Sequence, residues 1–298
     1  MFSIEVNHIL KTYGNRAAVN DVSFNVDQGE IFGLIGPNGA GKTTTIRMMM
    51  DIIKPDSGDI KVMGEKLNED SKNKIGYLPE ERGLYKKMSV IDTIIYFASL
   101  KGVGKELARK RGEELLKRAD LLPHQNKRIE ELSRGMGQIV QVIVTIIHQP
   151  DLIILDEPFS GLDPVNTQLL KDMIRDLKNN GKTIIMSTHL MNDIEELCDR
   201  LLMINKGRTV LYGSLAEVKS KYRNNSVIVE SVGELGAIEG VTEQLRHNGA
   251  MELKLDNKTT PQMLLERLVK KGIVVNRFEL STPSLTEIFI KVVGDEHE

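Results

Sequence analysis

Apolar positions along the chain change period several times, and each change marks an element. The first thirty or so residues carry short alternating runs, Ile4-Glu5-Val6 and Val22-Ser23-Phe24-Asn25-Val26, separated by Tyr13-Gly14-Asn15 and Asp27-Gln28-Gly29. Alternation broken by glycine turns predicts antiparallel strands. Ile31-Phe32-Gly33-Leu34-Ile35, Leu152-Ile153-Ile154-Leu155 and Thr183-Ile184-Ile185-Met186 are continuous instead, as parallel strands buried on both faces require. Lys54-Pro55-Asp56-Ser57-Gly58 predicts a turn, with further strands at residues 59–62 and 74–78. From about residue 90 to 148 the apolar spacing becomes three and four, most clearly at 90–97 and 107–122, and predicts an all-helical insert. Leu201-Leu202-Met203-Ile204 and Thr209-Val210-Leu211-Tyr212 flank Asn205-Lys206-Gly207-Arg208 as a hairpin.

Around Lys221-Tyr222-Arg223-Asn224-Asn225 the chain turns polar, and a second rhythm follows. Strands are expected at 227–229, 252–255 and 273–275, and amphipathic helices at 261–271 and 284–292. A boundary placed there gives a first domain over 1–221 and a small α+β domain over 222–298.

Composition narrows the classes. Lys and Arg total 40 against 42 Asp and Glu, a net charge of −2, so no global field draws in nucleic acid or an anionic membrane. No nucleic-acid partner is expected. The chain opens Met1-Phe2-Ser3-Ile4-Glu5-Val6, without the basic and then apolar stretch of a signal peptide, and a cytoplasmic location is expected. The apolar stretch from Ile139 to Ile147 contains Gln141 and Thr145 and falls short of the ~20 residues that span a bilayer. The single cysteine, Cys198, rules out an internal disulfide and reads as a small buried hydrophobe.

Chemistry enters at Gly36-Pro37-Asn38-Gly39-Ala40-Gly41-Lys42-Thr43, which fills every fixed position of G-x-x-x-x-G-K-[ST] directly after an apolar strand. A glycine-rich turn between strand and helix offers backbone N–H groups and a positive helix end to a polyphosphate. Lys42 would reach the β and γ phosphates, and the Thr43 hydroxyl would ligate Mg²⁺. The strand ending Leu155-Asp156-Glu157 supplies two acids, whose burial is costly unless they bind a cation or do chemistry. In a phosphate-loop protein Asp156 would hold Mg²⁺ through water, and Glu157 would polarise the attacking water.

Leu132-Ser133-Arg134-Gly135-Met136, just ahead of the acidic strand, resembles the signature motif of ABC ATPases. The family's other markers follow its order. Tyr13 resembles the adenine-stacking aromatic, Ser160-Gly161-Leu162-Asp163 the D-loop, and Ser187-Thr188-His189 the switch histidine. The resemblance covers residues 1 to about 220. It implies an α/β fold: a P-loop ABC ATPase core with an antiparallel β subdomain and a helical subdomain, plus the small C-terminal α+β domain. Within the family, Tyr77-Leu78-Pro79-Glu80-Glu81-Arg82-Gly83-Leu84-Tyr85, the wording of 155–166 and the appended C-terminal segment resemble the Nat-type sodium-export subunits.

The resemblance implies an ATP-hydrolysing subunit that powers export, of sodium or a drug, through a separate membrane permease. The chain would lie on the inner face of the membrane with a second ATPase subunit, identical or paralogous. ATP would rest on Tyr13, Gly36 to Thr44 (including Ala40, Gly41 and Thr44) and, from the other copy, Ser133 and Gly135, with Asp163 nearby. Glu157 would be the base, His189 the γ-phosphate sensor, and Thr43, Glu80 and Asp156 the Mg²⁺ shell. The segment after Glu80, residues 82–88, would seat a coupling helix of the permease. Glu80 stands where most of the family has glutamine, and Arg134 and Met136 replace a glycine and a glutamine of the signature. Ser133 is a natural N-cap for a helix whose Gln138, Gln141, Thr145 and His148 predict one narrow wet stripe. A soluble ABC ATPase of nucleic acid or ribosomes is the alternative; the paired modules or long coiled coils of such proteins are absent.

Overall fold

The computed structural model describes residues 2–81, 83–223, 225–233, 235–247 and 250–294. Arg82 and Asn224, part of the segments singled out above, lie outside the described residues, as does Met1. The chain divides into two compact units, residues 1–215 and 216–298.

In chain order, β1 (Phe2–Tyr13) and β2 (Arg16–Asp27) form the expected hairpin, followed by β3 (Ile31–Ile35), α1 (Lys42–Met49), β4 (Ser57–Val62), α2 (Glu69–Asn73) and β5 (Ile75–Leu78). The helical insert comprises α3 (Val90–Leu100), α4 (Lys105–Arg118) and α5 (Arg134–Ile146). Then come β6 (Leu152–Asp156), α6 (Pro164–Asn179), β7 (Thr183–Thr188), α7 (Met191–Leu197), β8 (Arg200–Asn205) and β9 (Arg208–Ser214), with α8 (Leu215–Lys221) at the division between the units.

β2, β1 and β4 make an antiparallel sheet, and a second sheet runs β5-β6-β7-β3-β8-β9, parallel except for its last pair. The core lies between the two sheets. Ile4, Val6 and Phe24 of the first belong to one buried cluster with Phe32, Leu34, Ile154, Ile185 and Leu202 of the second, and the Phe24 and Phe32 rings stack 5.4 Å apart. Because β7 runs between β6 and β3, the loops leaving all three emerge side by side at one sheet edge, the edge where open α/β sheets bind ligands. Cys198 is buried as expected, and burial pushes its thiol pKa upward.

Two expectations need correction. The polar stripe of α5 is not wet: Gln138, Gln141 and Thr145 are all buried. Each polar group finds a protein partner in place of water. Gln138 donates to the Pro158 carbonyl at 3.1 Å, Gln141 to that of Glu81 at 3.5 Å, and Thr145 to that of Gln141 at 2.9 Å. His148, just past the helix, bonds the Ile75 carbonyl at 3.1 Å, and burial lowers its pKa. The stripe therefore ties the helical insert to the strand ends that carry the site, because buried polar side chains are kept only where such bonds exist. The second helix of the insert also ends at Arg118, earlier than its apolar spacing suggested; Asp120 turns to φ 55° before Pro123.

The second unit holds an antiparallel sheet in the order β11-β12-β10-β13, made of β10 (Ser226–Val232), β11 (Val241–His247), β12 (Ala250–Leu255) and β13 (Val274–Leu280), with helices α9 (Pro261–Lys270) and α10 (Leu285–Gly294). Val227, Val229, Leu253 and Leu255 meet Leu264 and Leu268 of α9 in its core. The Thr260 hydroxyl caps α9 by accepting from the Met263 N–H at 3.3 Å, one turn ahead of the apolar face. Strand β11 was not anticipated. It is an edge strand paired only with β12, and its Val241-Thr242-Glu243-Gln244-Leu245 lacks the apolar density of a central strand.

Candidate functional site

The loop between β3 and α1 is shaped by glycines with no room for a side chain. Gly36 at φ 154° would drive a Cβ into the Ile204 carbonyl, and Gly41 at φ 115° into that of Ala18. The loop consequently sits tight against β8 and β2 while its outer backbone stays open. Asn38, Gly39, Gly41, Lys42, Thr43 and Thr44 line a cleft of about 460 Å³ together with Tyr13, Arg16, Ala18, Glu80 and Glu157. Ala40 is buried behind them. Helix α1 carries no acid in its own first turn, so nothing within the helix offsets the positive end it presents to the cleft.

Lys42 folds back over the loop. Its Nζ donates to the Gly36 carbonyl at 2.9 Å and to that of Pro37 at 3.4 Å, and stands 3.4 Å from Glu157 Oε1. The other carboxylate oxygen of Glu157, Oε2, is 3.0 Å from His189 Nδ1. Lys42 and Glu157 are both less than a tenth exposed, so each charge depends on the other; removing one partner of such a pair costs about 3–5 kcal/mol. Glu157 is held at φ 49°, a left-handed conformation a non-glycine residue adopts at a cost. Its N–H donates to both the carbonyl and the hydroxyl of Ser187, each at 3.1 Å, which fixes it there.

Asp156 has no exposure at all. Its Oδ1 accepts from the Thr43 hydroxyl at 3.4 Å and from the Ser187 hydroxyl, while Oδ2 has no partner. An orphaned buried carboxylate oxygen beside a threonine hydroxyl fits a divalent cation. Among the described residues no group of three or more His, Cys, Asp or Glu could hold a metal by itself, so any cation there needs ligands from elsewhere, such as phosphate oxygens.

Ser133, Gly135 and Asp163 lie outside this cleft and form their own corner. Ser133 caps α5, accepting from the Met136 N–H at 3.2 Å. A Cβ on Gly135 would meet Asn166 Nδ2 and Asp163 Oδ2. Asp163 caps α6 by accepting from the N–H groups of Val165 and Asn166 at 3.0 Å, and the Asn166 bonds hold its carboxyl pKa below the usual range. Tyr13 lines the cleft, 54% exposed, with Lys11 Nζ 5.9 Å from its ring centroid.

Two contributors escaped the sequence reading. Ser187 bonds both acids, and its signal was a hydroxyl directly after the apolar run Ile184-Ile185-Met186. Arg16 lines the cleft from the start of β2, and a cation three residues after Tyr13 was the available hint.

The chain resembles known proteins over its whole length. The family model of ABC transporters matches residues 19–160, and that of the DrrA1-3-like ATP-binding protein C-terminal domain matches 213–293. The chain is 41% identical over 298 residues to the ABC transporter ATP-binding protein YhaQ of Bacillus subtilis, covering 99% of this chain and 100% of that one. It is 36% identical to the ABC transporter ATP-binding protein NatA of the same organism over 70% of this chain and 87% of that one. It is 29% identical to the daunorubicin resistance ATP-binding protein DrrA3 of Streptomyces coeruleorubidus over 99% and 96%. A solved ATP-binding subunit of an ABC transporter superposes with a TM-score of 0.69 at 30% identity, over 74% of this chain and 93% of that one.

Proposed function

The chain belongs to the family of ABC transporter ATP-binding subunits, which bind and hydrolyse ATP, and from that premise we propose that it drives export through a separate membrane permease, working as one of two ATPase copies. The observation that carries the mechanism is the chain Lys42, Glu157, His189 beside an Asp156 with one unpartnered oxygen. An incoming γ-phosphate competes with Glu157 for Lys42. Once Lys42 turns to the phosphate, Glu157 Oε1 is free to take a proton from water, while His189 keeps Oε2 and the carboxylate plane in place. Thr43, Asp156 and Glu80 would hold Mg²⁺, which when bound would offset charge on the β and γ phosphates. Tyr13 stacks on the base.

Two copies are proposed because Ser133 and Gly135 are not among the residues lining the chain's own cleft, yet offer a helix N-terminus and a backbone that a phosphate loop of a second copy could meet. Docking on the permease is supported by a second, largely apolar groove of about 330 Å³ beside Glu80, lined by Leu78, Pro79, Leu84, Phe97 and Leu100 among others. Phe97 of that lining clusters with Tyr85 and Tyr96, whose own rings are 5.5 Å apart. No helix among the described residues is long and apolar enough to cross a membrane, so a spanning path would come from the partner, with this chain on its inner face. A drug-like cargo is supported by the DrrA-like C-terminal match and the daunorubicin-resistance relative; sodium rests on the resemblance to Nat-type subunits, with the NatA relative beside it.

Purification of the tagged chain from detergent-solubilised native membranes tests this reading. A polytopic membrane protein is expected to co-purify and to raise ATP turnover. Recovery with ribosomes or nucleic acid in its place would overturn it in favour of a soluble ATPase.

A further inference from the structure

The hairpin tip that presents Tyr13 to the nucleotide cleft extends beyond the strand on its other side. β1 and β2 stay paired out to Tyr13 opposite Arg16, whereas β4 begins at Ser57 opposite Leu10, so the last residues of β1 run on past the start of β4. Residues 12–16 are all exposed, and a Cβ on Gly14 would meet nothing within 4 Å. A ring carried on such a tip keeps its freedom unless something holds it, and any freedom left must be given up when a ligand stacks.

Asp56, in the turn between α1 and β4, holds it. Its Oδ2 accepts from the N–H and the hydroxyl of Thr12 and its Oδ1 from Lys11 Nζ, each at 2.7 Å, and its own N–H donates to the Leu10 carbonyl at 2.7 Å. The carboxylate thereby gives the Thr12 N–H the acceptor that β4 begins too late to supply. Lys11 completes the latch: the Nζ held by Asp56 also stands 5.9 Å from the Tyr13 ring centroid, within cation–π range. The turn is itself firmly seated, since a Cβ on Gly58 would run into the Asn7 and His8 carbonyls. The bonds from Lys11 and Thr12 hold the Asp56 carboxyl at about 2, so the latch keeps its charge at neutral pH.

We infer that Asp56 is a positioning residue for the nucleotide base, fixing the Tyr13 ring through Thr12 and Lys11 before ATP arrives and leaving adenine the ring face away from Lys11. This rests on the stacking role given to Tyr13 above. Asp56 is not among the residues lining the cleft, so its contribution falls on the base and not on the phosphates. A ring ordered in advance spares ATP the entropy of ordering it on binding.

Titration calorimetry of the full chain with ATP and with inorganic tripolyphosphate, which has no base, tests this. Tyr13→Ala should weaken ATP by roughly five- to a hundredfold, the span of a base–aromatic stack, and leave tripolyphosphate unchanged. Asp56→Ala should weaken ATP by roughly two- to tenfold, the cost of ordering one side chain on binding, and again spare tripolyphosphate. Asp56→Asn keeps one oxygen for Thr12 and should lose less; it carries the test if circular dichroism shows the alanine variant unfolded. Added to Tyr13→Ala, Asp56→Ala should weaken ATP no further. The chain has no tryptophan, so Tyr13→Trp gives a single reporter whose anisotropy without nucleotide should fall when Asp56→Ala is added. Equal loss of ATP and tripolyphosphate, a loss that adds in full to that of Tyr13→Ala, or an unchanged anisotropy would overturn the inference. So would an Asp56→Ala chain that binds ATP like the parent while Tyr13→Ala does not, and the stacking role would then stand alone. Undiminished ATP affinity in Tyr13→Ala would overturn the stacking role, and the role of Asp56 with it.

Discussion

At the ends of β3, β6 and β7 the charged groups are buried and interlocked, whereas at the starts of α5 and α6 they are exposed and capped only by their own helices. Lys42 spends its donors on two loop carbonyls and Glu157; Glu157 divides its oxygens between Lys42 and His189. The side chains of Ser133 and Asp163, by contrast, bond residues just two or three positions along the chain among the described residues. The first region stores the cost of burying charge and so demands every partner. The second is tied down by local bonds that a single copy can satisfy, which leaves its outer surface for something else to complete. In the proposed function chemistry belongs to the first region and assembly to the second, and substitutions can separate them.

The sharpest break is Glu157→Gln. Shape and the His189 contact are kept, but no base remains to take a proton. Turnover should fall by about 10²–10⁴, the usual span for positioned proton transfer, with ATP still bound; phosphate release and nucleotide titration measure the two parts. Wild-type turnover would mean that the buried region does not hold the base.

Lys42→Ala should act on both binding and stability. It removes the point charge aimed at the β and γ phosphates and leaves Glu157 buried without its cation, at a cost of about 3–5 kcal/mol. Combining it with Glu157→Gln should restore most of the stability and none of the binding. Urea denaturation and titration with a fluorescent ATP analogue distinguish these outcomes, and equal instability of the single and double variants would show that the pair is not the reason.

How far the sequence carried this division depends on the residue. The phosphate loop, Asp156 and Glu157 were legible because their chemistry fixes both residue type and spacing. The parallel strands were legible because burial on both faces leaves their runs almost wholly apolar. Gln138, Gln141 and Thr145 misled, since a polar stripe facing solvent and one facing buried carbonyls have the same periodicity; only the position of the Pro158 and Glu81 carbonyls separates them. Strand β11 was illegible for a related reason, an edge strand needing few apolar residues. Ser187 needed the three-dimensional neighbourhood of two acids that lie about thirty positions upstream.

Glu80 sits at the edge of the comparison, lining the buried region's cleft yet itself exposed. Glu80→Gln should leave nucleotide affinity nearly intact and raise the Mg²⁺ concentration needed for half-maximal turnover several-fold, because a neutral amide oxygen is a poorer ligand for a hard cation. A Mg²⁺ titration of ATPase rate reads this directly. An unchanged midpoint would remove Glu80 from the metal shell and leave Thr43 and Asp156 as its only side-chain members.

The smallest effect on ATP is expected from removing the second unit. The second unit has its own sheet and a core built on Val227, Val229, Leu253, Leu264 and Leu268, and the described residues that line the nucleotide cleft all fall between Tyr13 and Glu157. Loss of a separately cored unit should therefore spare the phosphate loop, whose support comes from β2, β3 and β8. A chain ending at Tyr222 keeps α8 whole and every residue that bonds Asp156 or Glu157. We expect it to bind ATP with the affinity of the full chain while its dimerisation, or its stability on the permease, changes, which would place the second unit with the signature corner on the assembly side. Loss of ATP binding in a truncated chain that circular dichroism shows to be folded would mean that the second unit supports the cleft itself, and the separation of chemistry from assembly would then fail along this chain.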